Sequence, residues 1–320
     1  LLGASTSVFF LKDLVSTPLP SIAGIQQIAP DFVKMRMSDG VELATRIWKG
    51  KLGHPVVLYL HGIEGHSQWF ENTASHLNAL GINVIAPDRR GAGLNPRDRG
   101  NLSSYKAYLA DLEVILRKIA FDFVGHPIIL LGNCWGGKAA SVIAQKDYKP
   151  VGGELNLPIA GLVLTSPAIF TKVDYGAATK LQIAYTSILG GDNAAHRKWP
   201  IPIEVDMFTD NPTFQGFLKR DTLRLTEATS NFFVESFKLS KLAEKACNTI
   251  EMPVLILQSG SDRIVDVDKL QGWYSRIKSQ TKDLRIFPDA QHSLDFDANW
   301  IKEYTHVLAD WILARQPVVT

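Results

Sequence analysis

Cys134 stands between two glycines in Gly132-Asn133-Cys134-Trp135-Gly136, where a short apolar run, Pro127 to Leu131, gives way to a helix-like stretch starting at Gly136. A sharp strand-to-helix turn needs small residues two positions either side of its apex, because any larger side chain would meet the crossing backbone. The turn lifts the apical thiol out of the sheet and sets it at a helix N-terminus, whose partial positive charge favours the anion. A thiolate held this way can attack an activated carbonyl and form a thioester, which water, an alcohol, an amine or another thiol can then open. An isolated cysteine is more often an inert buried thiol. The paired glycines at a strand–helix junction favour a nucleophile here, whereas Cys247 lacks such a context and reads as buried.

Acyl chemistry at Cys134 also requires a base, an acid to orient it, and donors for the developing oxyanion. The order along the chain should be nucleophile, acid, histidine. After the apolar run Val254–Leu257 comes a glycine turn with two acids, Asp262 and Asp266. Asp262 lies nearer the strand end and is the expected orienting acid, while Asp266 is placed to cap a helix beginning near Val267. His292 follows another strand-like run, Leu284–Phe287, and is the expected base. Two backbone N–H groups are expected to hold the oxyanion, that of Trp135 and that of Ile63 in His61-Gly62-Ile63-Glu64-Gly65-His66. His61 and His66 have no third ligand at metal-binding spacing, so structural roles are expected for both, and Glu64 is a candidate for pocket polarity. No cofactor and no metal are expected.

The elements that must position these residues follow a βαβ rhythm, which implies a mainly parallel sheet covered on both faces. Val41–Trp48 alternates like an edge strand, and Pro55–Leu60 and Ile82–Ala86 are short continuous apolar runs of the kind buried on both faces. Helices are expected over Gln68–Leu80, ended by Gly81, over Leu102–Val124, over Gly136–Tyr148 and over Asn299–Ala314. Ile159–Leu164 adds a further strand. The rhythm breaks between about Ala168 and Glu251, where no strand of the buried type is expected and two helical stretches, Ala177–Leu189 and Thr213–Ala246, accompany many aromatic residues. This predicts an N-terminal arm over 1–31, an α/β core over 32–167 and 252–320, and a helical cap over 168–251 above the strand C-termini.

Composition narrows the partners. With 46% hydrophobic residues, 21% charged residues and a formal net charge of +2, the 320-residue chain has no basic excess for a nucleic-acid groove. No apolar run reaches the roughly 18–20 residues needed to span a bilayer. Two distant cysteines make neither a disulfide framework nor a CxxC metal site. The chain starts without Met, and Leu1-Leu2-Gly3-Ala4 resembles a bacterial lipoprotein signal junction with Ala4 in place of the lipidated cysteine, so cytoplasm and cell envelope both stay open.

With these residues in place, the chain resembles the α/β-hydrolase superfamily and, within it, the monoacylglycerol-lipase and lysophospholipase-like branch. The similar elements are His61-Gly62 with Gly65-His66, Asp88-Arg89-Arg90-Gly91 with Gly93, the turn at 132–136, Asp262 with Ile264-Val265-Asp266, and His292. The stretches Met207–Pro212 and Asp221–Ala228 also match that branch. The branch normally carries serine where this chain has Cys134. Cysteine at that place is similar to dienelactone hydrolases and polyhydroxyalkanoate synthases. The resemblance implies an α/β-hydrolase fold with a helical cap and a small, apolar acyl substrate.

Three functions remain open at this point: hydrolysis of a lipid-like or activated ester or thioester, acyl transfer from Cys134 to an alcohol, amine or thiol, and non-catalytic ligand binding on the same fold. The acid and histidine are both present, which disfavours the third.

Overall fold

The computed structural model describes residues 17–152 and 159–315. In chain order it contains β1 (Asp31–Arg36), β2 (Glu42–Trp48), β3 (Val56–Leu60), α1 (Glu71–Ala79), β4 (Asn83–Pro87), α2 (Tyr105–Asp122), β5 (Ile128–Asn133), α3 (Gly136–Ile143) and β6 (Ile159–Thr165). Next come α4 (Ala177–Ile188), α5 (Gly191–Ala195), β7 (Lys198–Pro200), α6 (Val205–Phe208), α7 (Pro212–Arg220), β8 (Glu227–Thr229) and α8 (Ser230–Ala246). The chain closes with β9 (Val254–Ser259), α9 (Val267–Ser275), β10 (Lys282–Phe287) and α10 (Ile301–Leu313).

Eight strands form one sheet in the order β1-β2-β4-β3-β5-β6-β9-β10. From β4 to β10 neighbours are parallel, and the two pairings at the other edge, β1–β2 and β2–β4, are antiparallel. The inner strands are largely buried, β3, β4 and β9 at every residue, as a sheet covered by helices on both faces requires. One apolar layer packs α2, α3 and α8 against one face, and a second packs α1 and α10 against the other. This is the α/β-hydrolase fold. All strands that carry site residues run parallel, so their C-terminal ends open onto one side of the sheet.

Several boundaries differ from the sequence reading for identifiable reasons. Val41–Trp48 is not the edge: β1 pairs with it from Asp31↔Ile47 to Arg36↔Glu42, burying β2 while β1 itself shows the half-buried alternation of an edge. Helix α3 stops at Ile143 rather than Tyr148. The expected helix over Thr213–Ala246 is broken into α7, a turn, the short β8 and α8. The break falls where Asp221 turns inward, accepting hydrogen bonds from the Trp69 indole and the Leu223 amide, and pairing with His66 at 2.8 Å. Strand β8 pairs with β7, a small antiparallel sheet that short-range pattern did not signal. The lipoprotein-like residues Leu1–Ala4 lie outside the described residues. Among those described, no helix is long and apolar enough to cross a membrane.

A buried carboxyl group sits where α1 and α10 pack together. Asp295 is buried between them, accepting from Thr73 Oγ1 at 2.5 Å, and burial pushes its pKa up to about 7. An unfolded aspartate titrates near 4. Below that value both states hold the proton. As pH rises from about 4 to about 7 the unfolded chain releases its proton first, so this group's contribution to stability is lost across that window. Asp295→Asn, which mimics the neutral acid, is expected to gain on the order of 2–4 kcal/mol over wild type between pH 5 and pH 8. Denaturant midpoints at the two pH values measure this. A constant difference between the two proteins would contradict it.

Candidate active site

Strand β5 ends at Asn133, and the chain turns into α3 through Cys134, which adopts φ +49°, a left-handed conformation that non-glycine residues rarely take. The strained turn is held from both sides. The Cys134 N–H donates to Thr165 O at 3.0 Å, and its carbonyl accepts from Gly137 N at 3.1 Å and Ala168 N at 2.9 Å. The flanking glycines are sterically required. A Cβ on Gly136 would lie 2.1 Å from the Leu60 carbonyl oxygen, and one on Gly132 would lie 2.6 Å from Gly137 Cα. Gly136→Ala is therefore expected to cost about 3 kcal/mol, measurable as a lowered denaturant midpoint. A loss below about 0.5 kcal/mol would mean the turn is looser than this geometry.

The acid and the histidine come together as their spacing suggested. His292 Nδ1 lies 2.8 Å from Asp262 Oδ2, and both side chains are buried. Asp262 is itself fixed by three donors: Gln258 Nε2 at 3.0 Å, Ile264 N at 2.8 Å and Val265 N at 2.9 Å. Burial alone would raise its pKa, but His292, by its charge and hydrogen bond, and the backbone N–H groups of Val265 and Ile264 hold it below the usual carboxylate range. For His292, burial opposes the charged form, and Asp262 and Cys134 together overcome it, so its pKa lies well above the ordinary histidine value. Nε2 is buried without a well-aligned hydrogen-bond acceptor, yet Cys134 is close enough to interact with it electrostatically. Asp266 caps α9 by accepting from Lys269 N at 3.2 Å.

The loop after β3 passes directly beside Cys134: a Cβ on Gly62 would sit 3.1 Å from Cys134 Cβ and 3.5 Å from its Sγ. Among the described residues, neither the Ile63 N–H nor the Trp135 N–H donates to another protein group. Arg89 anchors this loop by donating from Nη2 to Ile63 O at 2.6 Å, while its guanidinium lies over the rings of Trp135 and Phe232. Burial brings the pKa of Arg89 down to about 10, still well above neutral pH. His61 has the structural role expected, its Nε2 accepting from Arg89 N at 3.0 Å. His66 pairs with Asp221, and no group of residues able to hold a metal occurs among the described residues.

Glu64 differs from its expected role. It does not line the cavity at Cys134 but pairs with Arg224 of the insertion at 2.6 Å. Burial raises its pKa to about 7 against the pull of Arg224. Three contributions were missed by sequence reasoning. Arg89 was noticed only within the similar stretch at 88–91. Gln258, which donates to the acid, carries no signal beyond its place at a strand end. The insertion also steadies the histidine loop, with His292 N donating to Met207 O at 3.3 Å, Ser293 N donating to Phe208 O at 2.8 Å, and the Phe208 ring edge-on to His292.

A cavity of about 210 Å³ opens at Cys134 beneath the insertion. Ile63, Trp135, Ile201, Ile203 and Phe233 supply apolar walls, and Lys138, Ser236 and Ser240 supply a polar one. Cys134 and Cys247 are both free thiols, and Cys247 is buried.

This arrangement has clear relatives. Phospholipase YtpA of Bacillus subtilis is 22% identical over 77% of this chain and 91% of its own length. Human monoglyceride lipase is 27% identical over 80% and 82% respectively. Among solved structures, a soluble variant of monoglyceride lipase from Saccharomyces cerevisiae, in complex with a substrate analog, superposes with a TM-score of 0.79 at 17% identity, covering 94% of this chain and all of that one. The Hydrolase_4 family, described as serine aminopeptidase, S33, matches residues 53–299. With that match spanning most of its length, the chain belongs to the Hydrolase_4 family of the α/β-hydrolase superfamily.

Proposed function

We propose that this protein is an acyl hydrolase acting on lipid-like or activated carboxylic esters or thioesters through Cys134, His292 and Asp262. The observation that carries the reading is the buried Asp262–His292 pair beside a cysteine held at positive φ on a strand–helix turn. The relatives named for lipase and phospholipase activity support an ester substrate of lipid type. In this mechanism the proton of the Cys134 thiol passes to His292 Nε2, leaving a thiolate–imidazolium pair steadied by Asp262. The sulfur attacks the substrate carbonyl, and the N–H groups of Ile63 and Trp135 hold the oxyanion. Collapse forms a thioester and expels the alcohol or thiol, which takes the proton from His292. Water, deprotonated by the now neutral His292, then opens the thioester to the free acid and regenerates the thiol. The insertion above the site acts in this reading as a cap that shields the acyl chain.

The same thioester could pass its acyl group to an alcohol, amine or thiol, and the cysteine itself favours that second reading, since thioesters exchange readily with such acceptors. Intact mass spectrometry after exposure to a panel of acyl thioesters and aryl esters tests both. An acyl-sized adduct on wild type, absent from Cys134→Ala, is the expected result, with free acid as the product. A conjugate in place of free acid when an acceptor is added favours transfer. No adduct and no product would defeat both readings and leave ligand binding alone.

A further inference from the structure

The wall of the cavity opposite its apolar residues is built around an unusual group for an acyl pocket, a buried lysine. Lys138 lies on α3, four residues beyond Cys134, and is 7% exposed. Cys134 and Lys138 line the same cavity. Among the described residues the only hydrogen-bond partner of its ammonium is Ser236 Oγ, at a long 3.4 Å. That same oxygen already accepts from Trp135 Nε1 at 2.8 Å. Two donors therefore converge on one hydroxyl, whose own hydrogen has no acceptor among the described residues. Ser240 lies one turn further along α8, its hydroxyl donating to Ser236 O at 2.9 Å. No carboxylate is in hydrogen-bond contact with the ammonium. Glu244, whose charge reaches it, is engaged by Lys241. Asp174 also lines the cavity, but it is more than half exposed and paired with Lys180. The wall thus offers donors and positive charge without a matching acceptor, and a buried charge left in that state is costly unless something else completes it.

We propose that Lys138, with Ser236, binds a carboxylate at the far end of the acyl group carried by Cys134, so that the preferred substrates are esters or thioesters of short dicarboxylic acids. The proposal rests on the reading of Cys134 as the acylated residue. Cys134 and Lys138 line one cavity of only about 210 Å³, which restricts the acyl group to a short acid, and the apolar residues Ile201, Ile203 and Phe233 would cover its methylene groups. Burial draws the Lys138 pKa down to about 8, with Cys134 and Glu244 acting against it, so the group keeps its proton at neutral pH. A bound carboxylate would supply the missing counter-charge and accept from both the ammonium and the Ser236 hydroxyl.

The test pairs substrates that differ only at the distal end. Turnover of S-glutaryl-N-acetylcysteamine and S-pentanoyl-N-acetylcysteamine is measured with wild type, Lys138→Met and Ser236→Ala, each checked for folding by circular dichroism. Wild type is expected to favour the glutaryl thioester by at least about tenfold in kcat/KM, a preference that one well-placed charge-assisted contact can supply. Lys138→Met should invert the ratio, and Ser236→Ala should reduce it. A wild-type preference for the pentanoyl thioester, or a ratio unchanged in Lys138→Met, would overturn the proposal. A second measurement separates this idea from the acyl reading beneath it: calorimetric titration of monomethyl glutarate into Cys134→Ala, and into the same protein also carrying Lys138→Met. If neither thioester is turned over but monomethyl glutarate binds and the second substitution abolishes binding, the carboxylate site stands and the catalytic reading fails. If it does not bind Cys134→Ala, the carboxylate site fails whatever the turnover.

Discussion

Cys134→Ala is expected to lower kcat/KM for acyl substrates by on the order of 10⁵-fold, because the covalent route disappears while the binding surfaces remain. The residual rate should reflect the oxyanion donors and the cavity, which the substitution leaves in place. Steady-state kinetics on an aryl ester and a thioester measure it. Retention of more than about one hundredth of the activity would mean that Cys134 is not the nucleophile. Cys134→Ser asks a different question. A serine hydroxyl gives up its proton far less readily than a thiol, and the oxygen ester it would form is less easily opened by water than a thioester. The substitution should therefore move the ratio of thioester to oxygen-ester turnover toward the oxygen ester by at least roughly tenfold, or about 1.4 kcal/mol. An unchanged ratio would mean that sulfur chemistry does not set the substrate preference.

The second large effect is expected at the acid. Asp262→Asn should lower kcat by about 10³–10⁴-fold with the fold intact, since the amide no longer selects the histidine tautomer or supports its charge. The position tolerates an amide poorly. Asp262 Oδ1 accepts from two backbone N–H groups and Oδ2 from Gln258 and His292, so an NH₂ must face a donor wherever it is placed. The pH dependence has a definite sign. Asp262 helps to hold the His292 pKa above its ordinary value against burial, so its removal lets the imidazolium lose its proton at lower pH. Reaction of Cys134 with iodoacetamide should accordingly slow in the variant near pH 6, where fewer molecules keep the His292 imidazolium, and converge with wild type near pH 10. Equal rates across the whole range would argue that the two side chains do not support an ion pair with Cys134.

The parts of the site that were legible before the structure share a physical cause. Gly132 and Gly136 are required by contacts with backbone only a few residues away or on the neighbouring strand, and such steric demands appear directly as residue type at fixed spacing. The strand ends that deliver Asp262 and His292 are marked by apolar runs giving way to turns. The helical break at Asp221 was not legible, because what ends the helix is a buried partnership with His66, 155 positions earlier. The edge strand was misassigned for a related reason. Whether β2 is covered depends on the partner it finds, and its own alternation is the same in either case.

By itself, the sequence determined the fold class, the order of Cys134, Asp262 and His292 along the chain, and the presence of cysteine where the resembling branch carries serine. Those properties follow from local periodicity and from the steric needs of one turn. Only the tertiary structure decided how the insertion takes part. It joins Glu64 to Arg224 across 160 positions, Lys138 to Ser236 across 98, and Met207 to the backbone of His292. Each of these contacts is made between residues that local pattern leaves independent, and packing alone brings them within reach. The polar wall beside Cys134 is likewise assembled from two separate helices, Lys138 from α3 and Ser236 and Ser240 from α8.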